Sequence, residues 1–88
     1  MQSHDDAATE NATAANALYA AGDFASAVAR YSQAIDAIEC DADALATLYS
    51  NRAACHLKLG AASNAEHDAA LALALRRAAP KPGAPLML

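Results

Sequence analysis

The chain has 88 residues, too few for more than one domain and enough for only a modest core. Of these, 28 are alanine, one is Phe, three are Tyr and none is Trp, so the composition reads as all-α and thinly packed. The net charge of −4 argues against a nucleic-acid partner, no apolar run approaches the ~20 residues of a membrane span, and the acidic start MQSHDDAATE is neither a signal nor a transit peptide.

Four helices are expected, in chain order. The first runs from about Asp6 to Ala21, with Ser3 as a cap candidate and Asp5 and Asp6 at the positive end of the dipole. Gly22-Asp23 is the turn, with Asp23 as N-cap of the next helix. That second helix runs from about Phe24 to Glu39. Its residues Phe24, Ala27, Val28, Tyr31, Ala34, Ile35 and Ile38 form the cleanest amphipathic stripe in the chain. Cys40-Asp41-Ala42-Asp43 is a short acidic linker, and Asp41 or Asp43 caps the third helix. That helix runs from about Ala44 to Leu59 and ends at Gly60, a C′ glycine. The fourth runs from about Ser63 to Ala79 and is stopped by Pro80. Ser63 and Glu66 have capping-box spacing. The Pro-rich remainder, 80–88, cannot be regular helix and ends in Leu86-Met87-Leu88.

The first half of the chain repeats in the second. Superimposing Gly22 on Gly60 puts Ala15 on Ala53, Ala27 on Ala65 and Ala34 on Ala72. The expected organisation is therefore a flexible N-terminal segment 1–7, a repeat domain 8–79 made of units at about 8–41 and 46–79, and a Pro-rich tail 80–88.

On these residues the chain resembles the tetratricopeptide repeat family. Unit one carries Ala15, Leu18, Tyr19, Gly22-Asp23-Phe24, Ala27, Tyr31, Ala34 and Ile35. Unit two carries Tyr49, Ala53, His56, Gly60, Ala65, Ala69, Ala72 and Leu73. The turn glycines lie 38 residues apart, against ~34 in the family. The resemblance implies an all-α fold: antiparallel helix-turn-helix repeats stacked as a short solenoid. Asn16 after Ala15, and Ser50-Asn51-Arg52-Ala53-Ala54, are similar to the carboxylate-clamp repeats of chaperone adaptors. Those hold the acidic C-terminal tails of cytosolic heat-shock chaperones in an extended groove. The resemblance implies peptide contacts from Asn16 and Asn51, with Arg52 as a further candidate. Ala12 stands where the family has a lysine, and the third unit, which supplies a Lys and an Arg, is missing.

The remaining polar residues read more simply. Arg76, Arg77 and Lys81 compensate the dipole of the last helix. Glu66, His67 and Asp68 are adjacent on a helix and read as a solvated face. His56 occupies an inter-helix position. His4, His56, His67, Cys40 and Cys55 lack metal-ligand spacing, so no metal or cofactor is expected, and the cysteines read as half-buried reduced thiols in a cytoplasmic chain. No nucleophile elbow or phosphate loop appears, and no enzyme is expected.

Two functions are expected. One is a non-enzymatic adaptor binding a protein or peptide partner, such as a heat-shock chaperone tail, with neither nucleic acid nor membrane as partner. The other is a self-assembling or subunit-type scaffold, a homo-oligomer using Leu71, Leu73 and Leu75 of the last helix. A truncated piece of a longer repeat protein is a third reading.

Overall fold

A computed structural model describes residues 4–78, with side chains described from residue 7 onward. It contains four helices: α1 (His4–Ala20), α2 (Phe24–Ala37), α3 (Ala42–Lys58) and α4 (Ala62–Ala78). Consecutive helices pack on one another, α1 on α2, α2 on α3 and α3 on α4. The result is two helix-turn-helix units stacked as a short all-α solenoid. The expected cap at Ser3 and the tail 80–88 lie outside the described residues.

The two intra-unit turns are built the same way. Gly22 has φ +84° and Gly60 has φ +76°, the left-handed conformation glycine adopts without a Cβ penalty. At the first turn Asp23 N–H donates to Leu18 C=O at 2.9 Å and Gly22 N–H to Tyr19 C=O at 3.0 Å. At the second, Ala61 N–H donates to His56 C=O at 2.8 Å and Gly60 N–H to Leu57 C=O at 3.1 Å. Each is a Schellman motif, which satisfies carbonyls the helix end would leave open.

The helix starts differ. Asp23 caps α2 by accepting from Ser26 N–H at 3.3 Å, and Asp41 caps α3 by accepting from Ala44 N–H at 3.0 Å. Helix α4 begins at Ala62, so Ser63 already lies inside it and the expected Ser63–Glu66 capping box does not form. The Schellman turn leads straight into α4 there: Ala65 N–H donates to Ala61 C=O at 3.0 Å. The other boundary corrections are small. Helix α1 starts two residues before Asp6, α2 ends at Ala37 rather than Glu39, and α3 starts at Ala42 under its Asp41 cap.

The core is small and central. Ala15, Ala27, Tyr31, Ala34, Ile35, Leu48 and Cys55 form one buried cluster contributed by α1, α2 and α3. Its alanines let the helix backbones approach closely, while Tyr31, Ile35 and Leu48 are its large side chains. Across the first turn Tyr19 and Phe24 meet edge to face, with centroids 5.2 Å apart. Of the two free cysteines, Cys55 is fully buried and Cys40 is exposed, rather than both being half-buried.

Candidate functional site

Between the two units, Asn16 and Tyr19 of α1, Tyr31 of α2, and Asn51 and Ala54 of α3 line one open hollow. Its volume is about 360 Å³, near the low end for ligand sites, so it suits a chain end or one or two side chains. Both asparagines read from the sequence therefore come together. Each sits one position after a buried small residue, or two before one: Asn16 follows Ala15 and Asn51 precedes Ala53.

Tyr31 shapes the site. Its ring is in the core, and its hydroxyl donates to Asn16 Oδ1. That bond orients the Asn16 amide and leaves its Nδ2 hydrogens directed elsewhere. Burial raises the Tyr31 phenol above its ordinary value, with the nearby Cys55 and Tyr19 adding to the effect, so the hydroxyl keeps its proton. Among the described residues the Asn51 side chain makes no hydrogen bond within the protein. The hollow thus presents amide donors and phenol rings, with no cation among its lining residues. The sequence pattern assigns Tyr19 and Tyr31 only to packing. The available signal is that a buried tyrosine needs a partner for its hydroxyl.

Arg52 is placed elsewhere. Its Nε and Nη2 donate to Asp68 Oδ2 and Oδ1 at 2.7 and 2.8 Å, a bidentate pair. Its Nη1 donates to Ser32 Oγ at 3.0 Å, and its guanidinium lies 5.2 Å from the centre of the Tyr49 ring. One side chain of α3 thus ties α2 to α4. Asp68, expected on a solvated face, is only 2% exposed. The hydrogen bond to Asp68 is the largest cause raising the Arg52 guanidinium above its ordinary value, against the opposing effect of burial. His56 Nε2 lies 3.5 Å from Asp68 Oδ2, so the expected inter-helix position of His56 is where the structure puts it. Among the described residues no buried side-chain N or O atom lacks a partner.

The leucines of α4 do not share one face. Leu73 is 51% exposed, while Leu71 and Leu75 are half-buried on another side of the helix. Arg76 and Arg77 lie in the last turn of α4, where the dipole favours cations. Among the described residues, no group of three His, Cys, Asp or Glu side chains is placed to hold a metal, and no helix is long and apolar enough to cross a membrane.

The chain is 45% identical over 71 residues to sperm-associated antigen 1 of mouse and of human. Over that stretch the two are homologous. The match covers 76% of this chain and 8% of each mammalian relative. Zebrafish sperm-associated antigen 1A is 44% identical over 71 residues, which is 17% of its length. The chain therefore spans less than a fifth of the curated relatives it matches. No protein-family model matches the chain, and no solved structure matches it significantly. The paired helix-turn-helix units with their glycine turns fit a tetratricopeptide-like repeat.

Proposed function

We propose that the chain is a non-enzymatic protein-interaction module of tetratricopeptide type, similar to a co-chaperone adaptor, that binds the extended acidic C-terminal peptide of a partner. A heat-shock chaperone tail has the right chemistry. The observation that carries this reading is that Asn16 and Asn51, from different units, line the same hollow. In this mechanism the peptide lies across α1 and α3. Asn51 and the Nδ2 group of Asn16 donate to the terminal carboxylate or the last main-chain carbonyls, and the rings of Tyr19 and Tyr31 support an apolar side chain.

Arg52 is an indirect participant here. Held by Asp68, it fixes α3 and with it the angle of Asn51. Ala12 supplies no cation, so neutral donors carry the carboxylate, and such bonds are roughly half as strong as charge-assisted ones. Affinity is therefore weak, in the range of roughly 10 µM to 1 mM.

The test is a fluorescence titration of the chain into a labelled acidic peptide ending in a free carboxylate, beside the same peptide amidated at its C-terminus. Binding of the free acid, weakened about fivefold or more by Asn16→Ala or Asn51→Ala, is the expected result. Equal binding of acid and amide, or none of either, overturns the reading.

A further inference from the structure

We propose that the outer face of α4 is the interface of an antiparallel homodimer, in which Glu66 of each copy pairs with Arg77 of the other. The face itself is simple. Glu66, Ala69, Ala70, Leu73 and Arg77 are all exposed and follow i, i+3, i+4, i+7, i+11, so they form one stripe. Ala65, Asp68 and Ala72 are the buried side of the same helix. Leu73, half exposed, is the large apolar residue of the stripe.

The internal repeat shows what kind of partner fits. The superposition of Gly22 on Gly60 maps Val28 onto Glu66, Tyr31 onto Ala69, Ile35 onto Leu73 and Ile38 onto Arg76. Those residues of α2, and Ile38 at its C-cap, are buried or half-buried, and α2 is the helix on which α3 packs. Among the described residues nothing packs on the corresponding surface of α4. It is not a copy of the α2 surface, however. Val28 has become the acid Glu66 and the central tyrosine has become alanine, while Arg77 takes the place of Glu39, which is exposed. Another helix with the apolar side of α3 would bury Glu66 without a partner, at a desolvation cost.

A partner for this stripe needs a cation at the Glu66 end, an anion at the Arg77 end and a large apolar residue opposite Ala70. A second α4 running antiparallel meets all three conditions by twofold symmetry. Glu66 meets the other copy's Arg77 twice, and each Leu73 sits against the small Ala70 of its partner, with Ala69 letting the helices approach. Among the described residues neither Glu66 nor Arg77 makes an ion pair within its own chain, so both are available. Among the α1 side chains described from residue 7 onward, the exposed ones bring no cation to Glu66 and no large apolar residue to Ala70. The interface uses a different face from the hollow between the units, so it does not depend on peptide binding.

Sedimentation equilibrium of the 88-residue chain over a concentration series tests this. One helix against one helix is a small interface, so the dimer dissociates with a Kd on the order of 100 µM. Glu66→Arg, and separately Arg77→Glu, raise that Kd by about tenfold or more through two like-charge contacts per dimer. The double variant Glu66→Arg/Arg77→Glu restores it to within about threefold of the parent, because the pairing is reciprocal. Ala70→Gln, which keeps high helix propensity and fills the seat of Leu73, gives monomer. Far-UV circular dichroism on each variant checks that the helices are kept. A parent chain that remains monomeric at about 1 mM overturns the proposal. So does Glu66→Arg or Ala70→Gln that dimerises like the parent, or a double variant that fails to recover.

Discussion

At the scale of single residues, the Arg52–Asp68 pair decides most. The carboxylate is buried and the guanidinium side chain is 20% exposed, so the two partners are not equivalent. Removing Asp68 leaves Arg52 able to turn toward water, whereas removing Arg52 strands a buried carboxylate with only His56 and solvent relaxation to help. Arg52→Met is therefore the costlier change, about 3 kcal/mol, with Asp68→Asn nearer about 2 kcal/mol, both read from urea midpoints. The double variant should lose less than the sum of the two, since it removes both charges. This pair is hidden in the sequence. Its members are 16 residues apart on different helices, and Asp68 sits in the run Glu66-His67-Asp68, which looks uniformly polar. A signal is available: Asp68 shares an i, i+3, i+7 stripe with Ala65 and Ala72, the positions equivalent to buried Ala27 and Ala34. An acid on that stripe must face inward, and a buried acid requires a partner.

Cys55 gives a second residue-scale prediction, in pH. Burial raises its thiol above the usual value of 9.0. The unfolded chain then loses this proton at lower pH than the folded one. Above about pH 9 the unfolded state binds fewer protons, so folding stability declines as pH rises toward the folded value. Below about pH 9 the thiol leaves stability unaffected. Urea denaturation of parent and Cys55→Ala across about pH 7 to 10.5 should show the alkaline decline smaller in the variant, although Cys55→Ala also lowers stability at every pH through lost packing. An identical alkaline slope in the two proteins would rule the thiol out as its source.

At the scale of elements, the local signals are legible. Asp23, Asp41, Gly22 and Gly60 act within a few residues of themselves, so their roles can be read from residue type and spacing alone. Ser63 shows where such reading fails. Its spacing to Glu66 satisfies the capping box, but the Schellman turn at Gly60 delivers the chain into helical geometry before Ser63 is reached. The tighter constraint wins and Ser63 becomes an ordinary helix residue. The two glycines allow a clean test of what holds the turns. A Cβ added at either would meet nothing within 4 Å. The penalty for Gly22→Ala or Gly60→Ala is thus the left-handed backbone alone, about 1–2 kcal/mol. D-alanine placed at Gly60 by chemical synthesis prefers that conformation and should stabilise the chain by about 0.5–1 kcal/mol. If D-alanine destabilised instead, the turn would need glycine for space rather than for φ.

At the scale of the whole molecule, charge separates a two-amide site from a cationic clamp. The chain carries a net charge of −4, its hollow contains no cation, and Arg52 is already neutralised by Asp68. An acidic peptide approaching it meets repulsion from the protein as a whole and only neutral donors at the site. Raising salt from about 0.02 M to about 0.25 M shortens the Debye length from roughly 20 Å to roughly 6 Å. Screening then removes repulsion and leaves the amide hydrogen bonds largely intact. The Kd for the free-acid peptide should hold steady or fall by up to about threefold across that range. A site in which lysine or arginine grips the carboxylate would weaken instead, because salt screens the attraction that holds the ligand. The titration at both ionic strengths therefore distinguishes them by the sign of the change. Weakening with salt would mean that a cation reaches the peptide, and Arg52 would be the first to examine. Losing that dependence in Arg52→Met would then show that the guanidinium leaves Asp68 for the ligand.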